Sequence, residues 1–436
     1  MLTQRSHDAA HDLGRAEDRE RPDTEPYEIL LEPGVEHSAD AHAREHPAPP
    51  EPSRGQALLR VLILTASVGE GHDRPAQTLT DQLRQEEPGV DVVIADGLSA
   101  MGRAVVAVSE SAPRVFFYRF DWLWDLGFWV FARFAPTRQL TQTLLTRLGA
   151  GGVLRLIRTY RPDVVVSTYP STTEVLGRLR LSGRLDVPVC AAVTDLSALW
   201  YWATPGADVH LVTHPESVEE VRAIAGASAR VYCVTGLTDR AFLERRSELE
   251  ARRALGLPAG GAIVLVSGGG WGVGRLDTAV EAALGLPEVG AVVCLCGRNE
   301  TLRQRLRQRF GTEPRVRVEG FTERMADWLA AGDVLVHSTA GLTIFEALIR
   351  GCPPISFGWG RGHIRMNNAA FRRFGLAAVA QTRHELALAL ADALETRPAP
   401  DLTYAERVSA ASVVVAEARN RGRCGENHAG ACHEGE

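Results

Sequence analysis

A chain of 436 residues with 45% hydrophobic side chains is too long for one compact core and apolar enough to fill two. The net charge of -6 is unevenly placed: residues 1–56 hold 13 acidic and 6 basic side chains, which leaves the remainder near +1 and without the basic field that nucleic-acid binding requires. All 48 basic residues are Arg, which excludes lysine chemistry such as a Schiff base or a phosphate-binding Walker lysine.

Residues 1–56 are rich in Asp, Glu, His and Pro, lack periodicity and end in the Pro cluster 47–52; a disordered acidic tail is expected. No apolar run reaches the roughly 18–20 residues that span a bilayer, and no basic region followed by an apolar stretch marks a secretion signal. Seven cysteines are an odd and thinly spread set. Cys190, Cys233, Cys294, Cys296 and Cys352 lie in apolar contexts and read as small buried hydrophobes of a reducing cytoplasm.

From Arg60 short β-branched runs alternate with helical stretches. The first series is Val61–Leu64, Val90–Ala95, Asp163–Ser167, Val187–Thr194, Val209–Thr213 and Val231–Thr235. The second is Ala262–Ser267, Ala291–Cys296, Val316–Glu319, Val334–His337 and Ile355–Phe357. Continuous apolar runs separated by amphipathic helices predict parallel strands covered on both faces. Two series in succession predict two doubly wound, Rossmann-like α/β domains, 57–240 and 241–418, joined within 237–258 and followed by a flexible tail, 419–436. Cys424, His428, Cys432 and His433 in that tail match no zinc spacing, and a frayed polar terminus is expected instead.

Three glycine-containing loops follow strands. The first reads Val68-Gly69-Glu70-Gly71-His72 and leads into a helix. Gly69 and Gly71 allow a tight turn, and His72 at the helix opening suits a general base working near neutral pH, though a histidine that merely caps or packs there fits the spacing equally. The second loop, after Ala262–Ser267, contains Gly268, Gly269, Gly270, Gly272 and Gly274, which permit close backbone approach to a diphosphate at a helix N-terminus. No acidic residue closes the next run, which ends in Gly297-Arg298, so a nicotinamide dinucleotide is disfavoured. The third loop, Ser338-Thr-Ala-Gly-Leu-Thr343-Ile-Phe-Glu346, places a carboxylate about one turn inside a helix, where it can accept both hydroxyls of a ribose. Phe321, on a loop after a strand, is placed to cover a base, although an exposed Glu and a core Phe are ordinary alternatives.

Residues 116–134 hold ten of the 28 aromatic residues. Phe117, Phe120, Trp124, Phe128 and Phe131 recur at helical spacing among charged neighbours, as in a helix lying in a lipid headgroup layer or, more plainly, packing against a sheet.

Taken together, residues 61–380 resemble the monogalactosyldiacylglycerol synthases and the processive diacylglycerol glucosyltransferases, with the lipid II-forming N-acetylglucosaminyltransferase as a more distant relative. The resemblance is most specific over Gly320–Gly375. It implies the GT-B architecture, two doubly wound parallel-sheet domains with a cleft between them, and inverting transfer of a hexose from a UDP-sugar to a lipid hydroxyl at an anionic membrane surface. It implies donor contacts from Gly268–Gly274, Phe321, Met325, Thr343, Glu346, His363 and Asn367, with Gly69 and Gly71 on the acceptor side and the aromatic stretch as the membrane face. His72, or failing it Asp195 of Val-Thr-Asp, is implied as the base, with no cofactor or metal required.

Departures from the family pattern are present. The first loop is usually Gly-Gly-Gly-His, so Glu70 adds a charge. A usual Pro-Gly-Gln-Glu is here Arg361-Gly362-His363-Ile364, and Ser338 stands where a lysine is usual. A soluble acceptor, a UDP-sugar epimerase and a non-catalytic sugar-binding protein are the competing readings.

Overall fold

The computed structural model describes residues 59–66, 70–106, 135–227, 229–339, 341–358, 360, 363–396 and 402–430. The acidic tail, Gly69 and the aromatic stretch 116–134 lie outside the described residues, as do Arg361, Gly362 and the side chain of His363.

The first domain contains β1 (Arg60–Thr65), α1 (Glu70–Glu86), β2 (Asp91–Asp96), the short α2 (Gly97–Ala100) and α3 (Arg103–Val106), then α4 (Ala135–Tyr160), β3 (Val164–Ser167), α5 (Pro170–Leu181), β4 (Val189–Val193), β5 (Val209–Val212), α6 (Val218–Ala225) and β6 (Arg230–Thr235). After α7 (Glu248–Leu255) the second domain runs β7 (Ala262–Ser267), α8 (Leu276–Leu284), β8 (Val289–Leu295), α9 (Glu300–Phe310), β9 (Val316–Glu319), α10 (Met325–Ala331), β10 (Val334–His337), α11 (Leu342–Arg350), β11 (Pro354–Phe357), α12 (His363–Phe374), β12 (Ala378–Ala380) and α13 (Arg383–Thr396). The chain closes with β13 (Val408–Ser409) and α14 (Ala410–Gly430).

All described pairings are parallel. The sheet orders are β13-β6-β5-β4-β3-β1-β2 and β12-β11-β10-β7-β8-β9. In each, order reverses beside the first strand, β1 or β7, which opens a crevice at the carboxyl ends. The continuous apolar runs have a direct physical cause. Val61 and Ile63 pack on one face of the first sheet, Leu62 and Leu64 on the other. In the second sheet Val264 and Val266 oppose Ile263 and Leu265 in the same way. Both faces are covered, so neither tolerates alternation with polar residues.

One device recurs at the opposite, amino ends of the strands. Asp163, Asp208 and Asp333 each precede a strand, and each carboxylate accepts a backbone N–H from the first or second residue of the neighbouring strand: Arg60 at 2.8 Å, Val189 at 2.8 Å and Ile263 at 2.7 Å. The N–H of each Asp returns a bond to the same residue's carbonyl, so register is fixed by a closed pair of bonds. Asp333 also holds Arg252, which is 3% exposed, at 2.7 Å.

The C-terminal region differs from its expected place. Residues 402–430 do not complete the second domain but return to the first sheet, where β13 pairs with β6 and α14 buries Ala410, Ala411, Val414, Val415 and Ala418 in the cluster of Val61 and Leu79. Glu417 pairs with Arg230. The helix continues to Gly430, through much of the expected tail from 419; its apolar stripe, up to Ala418, packs on the core of the first sheet beside α1.

Candidate functional site

The second domain's first glycine loop is shaped by steric necessity. Gly269, Gly272 and Gly274 have φ of 67°, 59° and 107°, values side chains rarely adopt. A Cβ on Gly272 would overlap the Cys296 carbonyl oxygen, and one on Gly268 would come within 2.7 Å of the Gly272 backbone. The turn is therefore wound against the end of β8 and delivers its backbone to the start of α8. Ser338 donates its hydroxyl to the Val273 carbonyl and ties the second loop to the third. Beneath them His337 contacts the Thr339 hydroxyl at 2.7 Å; burial lowers its pKa to about 4, so the ring is neutral.

On the third loop, Gly341 caps α11, Thr343 lies in its first turn, and Glu346 follows one turn in. Glu346 is half-buried. Loss of solvent pushes its pKa up to about 7; the charge of Arg74 opposes that shift and Asp239 reinforces it. Arg74 belongs to α1, so the carboxylate lies within electrostatic reach of the first domain. Phe321 is 39% exposed, and the Arg298 guanidinium carbon stands 3.7 Å from its ring centroid. This cation–π stack leaves part of the aromatic ring exposed beyond the carboxyl end of β9. Met325, partly buried, packs against the apolar cluster of Phe242, Leu255 and Leu329.

Across the crevice, His72 is the third residue of α1. Its Nδ1 lies 3.1 Å from the Thr168 carbonyl oxygen. A carbonyl only accepts, so this bond places the proton on Nδ1 and the basic lone pair on Nε2. The ring meets Tyr169 edge-on at 5.0 Å and Trp202 at 5.7 Å. Gly71 lies inside the first turn of α1, exposed, with open space where a Cβ would be. No tight turn requires it, contrary to the expectation from its sequence.

Asp195 follows β4. Its Oδ2 accepts from Trp202 Nε1 at 3.1 Å and its Oδ1 from Asn367 Nδ2 at 3.2 Å. Asn367 was expected on the donor; the structure directs its amide across the crevice, to Asp195 and to Ser197, because the loop after β4 inserts between α11 and α12. Arg74, Trp202 and Ser197 were not anticipated. Only Arg74 carried a hint, two residues beyond His72. Among the described residues no three His, Cys, Asp or Glu side chains converge as a metal site.

Two wound parallel sheets, with glycine loops and helix N-termini on the second, make up the GT-B architecture. The family model described as "Monogalactosyldiacylglycerol (MGDG) synthase" matches residues 72–238. A processive diacylglycerol beta-glucosyltransferase of Staphylococcus epidermidis is 25% identical over 331 residues, 75% of this chain and 82% of that protein. The enzyme of that name from Staphylococcus carnosus is 24% identical over 338 residues, with the same shares covered. Among solved structures, the glycotransferase of kitacinnamycin matches 84% of this chain and 96% of its own at a TM-score of 0.50 and 19% identity, a likeness of fold. In sequence the chain is similar to these monogalactosyldiacylglycerol synthases and processive glucosyltransferases.

Proposed function

We propose that the protein transfers a hexose from a UDP-sugar to the hydroxyl of a diacylglycerol-like lipid, with inversion at the anomeric carbon. The observation that supports this reading is that Arg74, on α1 beside His72, lies within electrostatic reach of Glu346 on the second domain. Glu346 would accept the ribose hydroxyls, Phe321 would cover the uracil, and the two loops would offer backbone N–H groups and helix N-termini to the diphosphate. Those donors stabilise the leaving diphosphate without a metal. His72 Nε2 would remove the acceptor proton as the hydroxyl oxygen attacks the anomeric carbon from the face opposite the departing diphosphate.

The membrane reading rests on the helical spacing of Phe117, Phe120, Trp124, Phe128 and Phe131 in the sequence and on the names of the relatives. No helix among the described residues is long and apolar enough to cross a membrane; we place the protein on the inner face of the cell membrane, held peripherally by anionic lipid.

The test is incubation with radiolabelled UDP-glucose, UDP-galactose or UDP-glucuronate and mixed-lipid vesicles, followed by chromatography. A labelled glycolipid in at least one arm is expected. His72→Ala should lower its rate about 100- to 10,000-fold, and Glu346→Ala should raise the KM for the donor. Turnover of UDP-sugar with no acceptor-dependent product, or labelling of only a soluble acceptor, would overturn the reading, and wild-type rates in His72→Ala would remove the base.

A further inference from the structure

Asn367 lies on α12 of the second domain, yet its side chain belongs to the first. It is 2% exposed. Its Oδ1 accepts from the Ser197 N–H at 3.1 Å and the Ser197 hydroxyl at 2.8 Å, while its Nδ2 donates to Asp195 Oδ1 at 3.2 Å. Between those two partners Leu196, also 2% exposed, packs on Ile344, Ala370, Phe371 and Ala377 of the second domain. A polar contact is thus set inside an apolar seal. The second oxygen of Asp195 accepts from Trp202, whose ring lies 5.7 Å from that of His72 at an angle of 39°.

A buried amide deprived of partners carries a desolvation cost, whereas the same amide in an open, wet cleft carries none. The contact therefore favours one state of the two domains, and in that state it fixes Asp195, Trp202 and the face of His72 in sequence. We infer that Asn367 is a closure latch: a positioning residue that couples seating of the second domain to the alignment of the base. This inference rests on the reading of His72 as that base.

Asn367→Asp tests it with little change of shape. The new side chain still accepts from Ser197 but presents an oxygen to Asp195. At pH 8 both carboxylates are ionised and repel; at pH 5.5 two carboxyls this close share one proton and the hydrogen bond returns. The expected result with UDP-glucose and diacylglycerol vesicles is a kcat about 10- to 100-fold below the parent at pH 8, with a smaller change in KM for the donor. The variant-to-parent ratio should recover severalfold at pH 5.5. Small-angle scattering of the unliganded full chain should show a larger radius of gyration at pH 8 than at pH 5.5 for this variant only. Asn367→Ala should be open and slow at both pH values. A ratio flat with pH, or scattering identical to the parent's at pH 8, overturns the latch. If the parent itself transfers no sugar, the assigned reaction falls, while the scattering comparison still decides the latch.

Discussion

The two edges of each sheet are built from different materials. At the amino ends, Asp163, Asp208 and Asp333 clamp neighbouring strands with short bonds, and Arg252 is sealed beneath the second sheet with its charge matched. At the carboxyl ends, glycines adopt φ values that side chains avoid, a carboxylate is held near neutral pH, and an imidazole is oriented by a main-chain carbonyl. Compact, saturated contacts hold the frame; strained turns and poised charges form the working edge. Substitutions at the first edge should therefore change stability and leave kinetics intact, and those at the second should do the reverse.

The sharpest break of that contrast is Asp333→Ala. It leaves the Arg252 guanidinium buried with one ion-pair partner fewer and removes the bond to the Ile263 N–H. Stability in urea should fall by about 3–5 kcal/mol, while the donor KM of the fraction that remains folded stays within twofold. If stability moves by less than 1 kcal/mol, the clamp at this edge is not what secures the second sheet.

Gly272→Ala addresses the other edge. Its Cβ would overlap the Cys296 carbonyl oxygen in a backbone conformation that alanine resists. The loop must shift, and the KM for the UDP-sugar should rise about tenfold, the equivalent of about 1.4 kcal/mol of donor binding. An unchanged KM, measured beside an unchanged melting curve, would detach this loop from the diphosphate. Smaller still is Asp163→Ala. That carboxylate is half-buried and accepts from Arg60 alone among its neighbours at that strand start. Its loss should cost about 1 kcal/mol, and a loss as large as that of Asp333→Ala would show that charge burial does not set the difference between the clamps.

Much of the frame was legible because its strands are buried on both faces. Ala262–Ser267 and Val334–His337 fall where the β-branched runs end, since a strand without a polar alternation has sharp limits. Two strands escaped. Ala378–Ala380 and Val408–Ser409 are too short to show a pattern, and the pairing of Val408 with Val234 depends on a chain return that no local period encodes. The same reason hid the role of Asn367. A polar residue on an amphipathic helix reads as a surface or ligand contact, and only the insertion of Leu196 beside it turns it toward Asp195. Glycine loops and Glu346 were visible because their chemistry is local; the latch and Trp202 were not, because theirs is assembled across domains.

The test that bears on both edges together is the pH dependence set by Glu346. Its pKa in the fold is about 7, above the ordinary carboxyl value of 4.5. A raised carboxyl pKa means that the fold favours the protonated form, so the contribution to stability is complete below about pH 4.5 and is lost as pH rises through about 7. Glu346→Gln should therefore melt at the parent's temperature at pH 5 and above it at pH 8. Donor binding runs the opposite way, because the ribose hydroxyls need the ionised acceptor. At pH 7 half the sites are protonated and the KM for the UDP-sugar should be only about twofold above its alkaline limit, but it should climb about tenfold per unit as pH falls further. In Glu346→Gln, whose amide oxygen accepts at every pH, that climb should vanish. A parent KM that stays level from pH 8 to pH 5.5 would mean that the ribose is held by some other group, and the carboxylate would then belong with Asp333 and Asp163 as part of the frame.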